Sequence, residues 1–299
     1  MPGRGRGSTT SRAVAITVVA ALVVAVAVVA ILAYQHARPR DPATSAAPVP
    51  TFSLGVDTTS PTPSPEATVV PSAADRFLTA GSDALWRATA GRCGDTEPRV
   101  ERSTDGGTTW TDITPHYKGI AQVGSLDPLG GTAAQMVAAL GEKCEVQGIR
   151  TFTRGRFWEP NKDVIAPARY LDFHNAGVVV TPQGDVAAPC AAASGLRAAR
   201  TIVALVCEKT AYVLAGDSWT ALPATDVAAL AVSSGDVLVA HAARGCTGLE
   251  ITRYTTADGA NAGDIGCAAD ANPTAATAIA VGGARVYVWS GDHFDTVIR

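Results

Sequence analysis

The sequence predicts an all-β domain joined to a membrane by one apolar helix and a Pro-rich linker. Three observations predict this. Residues 13–34 form an apolar run broken only by Thr17, with no charge, Gly or Pro. Residues 35–72 are rich in Pro, Thr and Ser. From 73 to 299, short β-branched runs alternate with turns built on Gly, Asp and Asn.

Composition excludes several classes. The chain carries 24 Lys and Arg against 27 Asp and Glu, and 47% of it is hydrophobic. Such a chain is too apolar to be wholly disordered. It lacks the basic excess of a nucleic-acid binder, so no nucleic-acid partner is expected.

The apolar run comes first. As a helix rising about 1.5 Å per residue it is about 33 Å long, enough to cross a hydrocarbon core of about 30 Å. Residues 1–12, with Arg4, Arg6 and Arg12, are too few to fold, and all six cysteines follow the run. The expected layout is a cytoplasmic tail (1–12), a transmembrane helix (13–34) and an extracytoplasmic C-terminal domain. That makes it an integral, single-pass protein of the cell membrane. A cleaved signal peptide is the competing reading, but signal cores usually span only about 7–15 residues.

The linker is next. Pro recurs at 39, 42, 48, 50, 61, 63, 65 and 71. With few large apolar residues it forms no core and reads as a disordered spacer. The Ala/Val-rich composition and this linker read as bacterial.

In the domain, strands are expected at 201–206, 211–214, 237–241, 251–254, 278–281 and 286–289, and the Ala-rich stretch 131–140 reads as strand. Short strands at even spacing suit a sandwich, a barrel or a propeller. One motif separates these. Residues 103–110 read Ser-Thr-Asp-Gly-Gly-Thr-Thr-Trp, the Asp-box pattern, with Ser103, Asp105, Gly107, Thr109 and Trp110 at its fixed positions. The Asp side chain bonds backbone N–H groups along a turn, Gly supplies a positive φ, and the indole wedges between sheets. The Asp105 carboxylate is expected to make a buried hydrogen bond.

On this motif the chain resembles Asp-box (BNR) repeat β-propellers, a family that includes sialidases, sortilin-type receptors and photosystem assembly factors. The resemblance implies a propeller of five or six four-stranded blades over 73–299. Weaker copies lie at 148–160 around Trp158, at 210–223 around Trp219, at 286–298 around Phe294, and at 250–266 without an aromatic. Trp110 and Trp158 are 48 residues apart, one blade length.

Six cysteines in an external domain read as disulfides. The repeat alignment puts Cys93 and Cys144 at equivalent points, after the second strands of neighbouring repeats. Cys190 and Cys207 flank a short segment, as do Cys246 and Cys267. The expected pairs are Cys93–Cys144, Cys190–Cys207 and Cys246–Cys267.

No chemistry is assigned. A sialidase would carry Arg-Ile-Pro near the start of the domain; it is absent, and the early Arg76 and Arg87 lack that context. His36, His116, His174, His241 and His293 fall in no paired motif, and there is no Cys-x-x-Cys and no phosphate loop. No catalytic, cofactor-binding or metal-ligating residue is therefore named, and no cofactor is expected. The expected function is a non-enzymatic scaffold binding an envelope protein or glycan. The alternative is a sialidase-like surface glycoside hydrolase.

Overall fold

The computed structural model describes residues 68–233, 235–255 and 262–299. The expected cytoplasmic tail, the apolar run 13–34 and the linker up to residue 67 lie outside the described residues. Among the described residues no helix is long and apolar enough to cross a membrane.

The strands form six antiparallel sheets, each built from consecutive strands. Blade 1 is β1 (Arg76–Ala80), β2 (Leu85–Thr89), β3 (Arg99–Ser103) and β4 (Thr111–Asp112). Blade 2 is β5 (Ile120–Pro128), β6 (Ala134–Leu140), β7 (Glu145–Thr151) and β8 (Glu159–Pro160). Blade 3 is β9 (Tyr170–Asp172), β10 (Asn175–Val180) and β11 (Val186–Ala187). Blade 4 is β12 (Ser194–Ala199), β13 (Ile202–Cys207), β14 (Thr210–Ala215) and β15 (Ser218–Ala221). Blade 5 is β16 (Val227–Ser233), β17 (Asp236–His241), β18 (Leu249–Tyr254) and β19 (Ala262–Ala268). Blade 6 is β20 (Thr277–Gly282), β21 (Arg285–Ser290) and β22 (His293–Ile298).

The first strands of the blades neighbour one another in a ring, and β1 meets β20 to close it. The molecule is a six-bladed β-propeller. Two blades have three strands among the described residues, in keeping with the sequence spacing, which favoured six blades with one or two abbreviated over five with an insertion.

Each seam between blades has its own apolar core. Trp86, Val100, Met136, Ile149 and Trp158 fill the seam of blades 1 and 2. Leu238, Ile251, Ile279 and Val288 fill that of blades 5 and 6. Where a blade is covered on both faces its second strand carries a long apolar run, as in residues 136–140 and Ile202–Cys207. The strict alternation of a half-exposed sheet is absent there. Alanine recurs in these runs and lets neighbouring blades approach closely.

Among the described residues the ring closes without exchange of a strand between its ends, and side chains bridge the last seam. Arg76 Nη1 donates to the Gly291 carbonyl at 2.6 Å. The Arg87 guanidinium lies 4.0 Å from the centre of the Trp110 ring and 4.6 Å from that of Trp289. Stacking of guanidinium on indole combines cation–π attraction with burial of the flat faces. Trp110 also meets Phe294 edge-on at 5.3 Å.

Three disulfides staple the domain: Cys93–Cys144, Cys190–Cys207 and Cys246–Cys267. The first ties the loop after β2 to the loop after β6, and so joins two blades. One short helix, α1 (Lys162–Ile165), was not foreseen; it starts where the Asn161 side chain accepts from the Asp163 N–H at 2.9 Å.

Candidate functional site in the central channel

The Asp-box forms the turn from β3 to β4. The Ser103 hydroxyl accepts from the Gly107 N–H at 2.9 Å and donates to Asp105 Oδ1 at 2.7 Å. Asp105 accepts from the Thr109 N–H at 2.9 Å and from the Thr109 hydroxyl at 2.5 Å. The Trp110 indole N–H donates to the Gly107 carbonyl at 3.0 Å. Gly107 sits at φ +97°, and a Cβ there would lie 2.1 Å from the Phe294 ring. The glycine is thus required both by conformation and by contact with blade 6.

Two sequence expectations need correction here. The Asp105 carboxylate is exposed; Ser103, at 1% exposure, and Gly107 are the buried members of the turn. The reason is the turn's place on the rim, where Ser103 and Gly107 face inward and Asp105 faces solvent. Phe294 is not the counterpart of Trp110. Trp158 and Trp219 stand at or after the turn from third to fourth strand, whereas Phe294 opens the third strand of blade 6. It packs on Trp110 and Tyr287 instead of repeating their role.

Trp158 is fully buried and meets Trp86 at 6.4 Å with the rings 80° apart. Trp219 is half-buried and donates its indole N–H to the Ala187 carbonyl of blade 3 at 2.7 Å. These residues hold seams and touch no cavity in the channel.

The channel itself carries the concentrated polar chemistry. A cavity of about 440 Å³ lies toward the C-terminal ends of the first strands, lined by Thr79, Ser125, Asp127, Gln135, Arg169 and Ser233 among apolar side chains. A second cavity, about 280 Å³, lies toward their N-terminal ends and includes Asp75, Ser194 and Thr277. Arg197 lines both. Its Nη2 donates across the lumen to the Arg76 carbonyl at 2.5 Å, and its Nη1 to the Leu196 carbonyl at 2.8 Å. Its guanidinium lies 4.9 Å from the centre of the Phe77 ring. No tyrosine lines either cavity.

Two carboxylates flank this arginine. Burial pushes Asp127 up from 3.8 to about 6, partly offset by the charge of Arg197. Asp75 is raised to about 6 for the same two reasons. Arg197 is itself drawn down to about 10, chiefly by burial, and stays charged at neutral pH. The Asp127 side chain is open to the cavity yet ringed by protein, which is why its charge is poorly hydrated although water reaches it.

The linked stability effect has a definite sign. The native state holds these two protons more tightly than the unfolded chain does. It therefore binds more protons between about pH 4 and about pH 6, and stability falls as pH rises through that window. Asp105, drawn down to about 2 by its bonds to Thr109 and Ser103, acts in the opposite sense below pH 4. Chemical denaturation at pH 4.5 and pH 7 is expected to show the Asp127→Asn and Asp75→Asn variants gaining stability over the parent at pH 7 and losing that advantage at pH 4.5.

Sequence reasoning missed Arg197, Asp127 and Asp75. The available signal was a lone charge inside a run of small apolar residues, Leu196-Arg197-Ala198 and Leu126-Asp127-Pro128. Among the described residues, no group of three or more His, Cys, Asp or Glu side chains is placed to hold a metal ion.

No protein-family model and no curated protein matches the chain. Solved structures do. YCF48 bound to a D1 peptide is 12% identical, with 74% of this chain covering 62% of that one and a TM-score of 0.29. SapL1 lectin in complex with alpha methyl fucoside is 12% identical, covering 78% and 97%, with a TM-score of 0.42. A GH43 protein from Bacillus licheniformis is 10% identical, covering 77% and 52%, with a TM-score of 0.32. At these identities the likeness is one of fold alone, and the six sheets of this chain carry the assignment: it is a six-bladed β-propeller stapled by three disulfides.

Proposed function

We propose that this protein is a non-enzymatic binding propeller on the outer face of a cell membrane. Its ligand is a saccharide unit or peptide segment of the envelope, held in the channel. One observation carries the reading. The larger cavity sets a donor-only guanidinium, Arg197, with an acceptor carboxylate, Asp127, among hydroxyls and apolar side chains. Such a donor–acceptor pair matches vicinal hydroxyls or a peptide amide, and pockets of this kind bind by a few convergent polar groups in a mostly apolar wall. Two further facts support display outside the cell: the apolar run 13–34, and the absence of a free cysteine among the described residues, as suits an oxidising compartment.

A second reading rests on the raised carboxylates. A carboxyl near pH 6 can serve as a general acid, and a pair can cleave a glycoside. Hydrolysis of 4-nitrophenyl glycosides that disappears in Asp127→Asn would support this reading over the first.

The test is to display the full chain on intact cells and offer fluorescent glycan and peptide libraries. A probe retained by the parent and lost with Arg197→Met supports binding in the channel. A probe retained equally by both moves the site elsewhere.

A further inference from the structure

We infer that the groove between the outer turns of blades 1 and 2 is a phosphate-binding site, separate from the channel. The groove encloses about 150 Å³ and is lined by Arg102, Arg154 and Arg156 with Thr104, Thr109 and Thr111.

The argument begins with a comparison of two turns in this one chain. Residues 151–158, Thr-Phe-Thr-Arg-Gly-Arg-Phe-Trp, align with the Asp-box at 103–110 and keep its bonds. The Gly155 N–H donates to the Thr151 hydroxyl at 3.1 Å, as Gly107 does to Ser103. The Phe157 N–H donates to the Thr153 hydroxyl at 2.9 Å, as Thr109 does to Asp105. The second turn therefore has the same shape with its charge inverted. A neutral hydroxyl replaces the carboxylate, and Arg154 and Arg156 stand where the first turn has Gly106 and Thr108.

Arg154 holds a left-handed φ of +60°, a conformation that is unfavourable outside glycine. Its sibling position is Gly106, at φ +73°. Glycine would serve the turn's backbone without strain, and Arg154 stands beside two more arginines.

The three guanidinium groups are not neutralised. Among the described residues none of them makes an ion pair within 4.0 Å. Arg102 donates one N–H to the Gly131 carbonyl at 3.1 Å, while its buried Nε has no partner. Burial and then the charge of Arg154 lower the Arg102 pKa, against a weaker pull from Asp83. The nearest carboxylate of the turn, Asp105, is engaged by Ser103 and Thr109. The Thr109 hydroxyl is already given to Asp105, but three forked donors with the hydroxyls of Thr104 and Thr111 still offer more hydrogen bonds than the two oxygens of a carboxylate accept. A phosphate monoester offers three acceptor oxygens and up to two charges, and Arg forks match it.

The test uses the full chain in detergent with inorganic phosphate as probe, by equilibrium dialysis at constant ionic strength. Saturable binding is expected, weakened at least tenfold by Arg154→Gly. That variant places glycine at a left-handed position and is expected to melt no lower than the parent. Arg156→Gln, which leaves the turn's backbone demands untouched, is expected to weaken binding similarly. No saturable binding, or binding unchanged in both variants, overturns the site. Vesicles of phosphatidic acid, the lipid with a phosphate monoester headgroup, against phosphatidylcholine then identify the source. Displacement of phosphate by phosphatidic acid alone assigns a lipid headgroup, and displacement by neither assigns a soluble phosphate.

Discussion

Trp158→Ala is expected to lose about 3–5 kcal/mol of stability, the usual cost of deleting a buried aromatic. Trp158 is fully buried, shares its seam with Trp86, Val100, Met136 and Ile149, and holds blade 2 against blade 1. Neighbours fixed in two separate sheets have little freedom to collapse into the void. For a domain of this size the melting temperature falls by about 10 °C. Trp219→Ala serves as the comparison. That ring is half-buried and its indole bonds one carbonyl, so about 1 kcal/mol is expected. Calorimetry on the two variants checks the order; equal losses would contradict the seam argument.

Removal of Cys93–Cys144 by paired Ser substitution is the second large effect. The bond closes a loop of 51 residues. The chain-entropy estimate for a loop of that size is about 4 kcal/mol, and native disulfides in external domains typically contribute about 2–5 kcal/mol. This bond joins two blades, whereas Cys246–Cys267 lies within blade 5 and spans only 21. The first is therefore expected to cost more than the second. Urea titrations of both double variants test the ranking, and a Cys93–Cys144 variant as stable as the parent would contradict it.

What could be read from the sequence was what is local. The Asp-box spans eight residues and its bonds run no further than four positions, so the motif carries its own geometry. The second strands of blades 2, 4, 5 and 6 were legible as largely apolar runs, while those of blades 1 and 3 were not singled out. Phe294 was misplaced because a Gly–Asp turn followed by an aromatic looks the same wherever it falls in a blade. Only the pairing of β20, β21 and β22 shows that this turn precedes the third strand. Arg197 and Asp127 were not legible because facing the channel depends on which strand is innermost, a property of the closed ring. The arginine groove was missed for a related reason. Arg102 is 52 residues from Arg154, and they meet only because blade 2 stacks on blade 1.

The central claim is that the channel at Arg197 is the binding site. The direct measurement is the Kd of the first retained glycan or peptide probe for the full chain, for Arg197→Met and for Arg154→Gly. Loss of a charged, hydrogen-bonding partner is worth about 1.5–3 kcal/mol, or about 10- to 150-fold. The account predicts a weakening of that size in Arg197→Met and no change in Arg154→Gly. An Arg197→Met protein that folds and binds with the parent's Kd would contradict it.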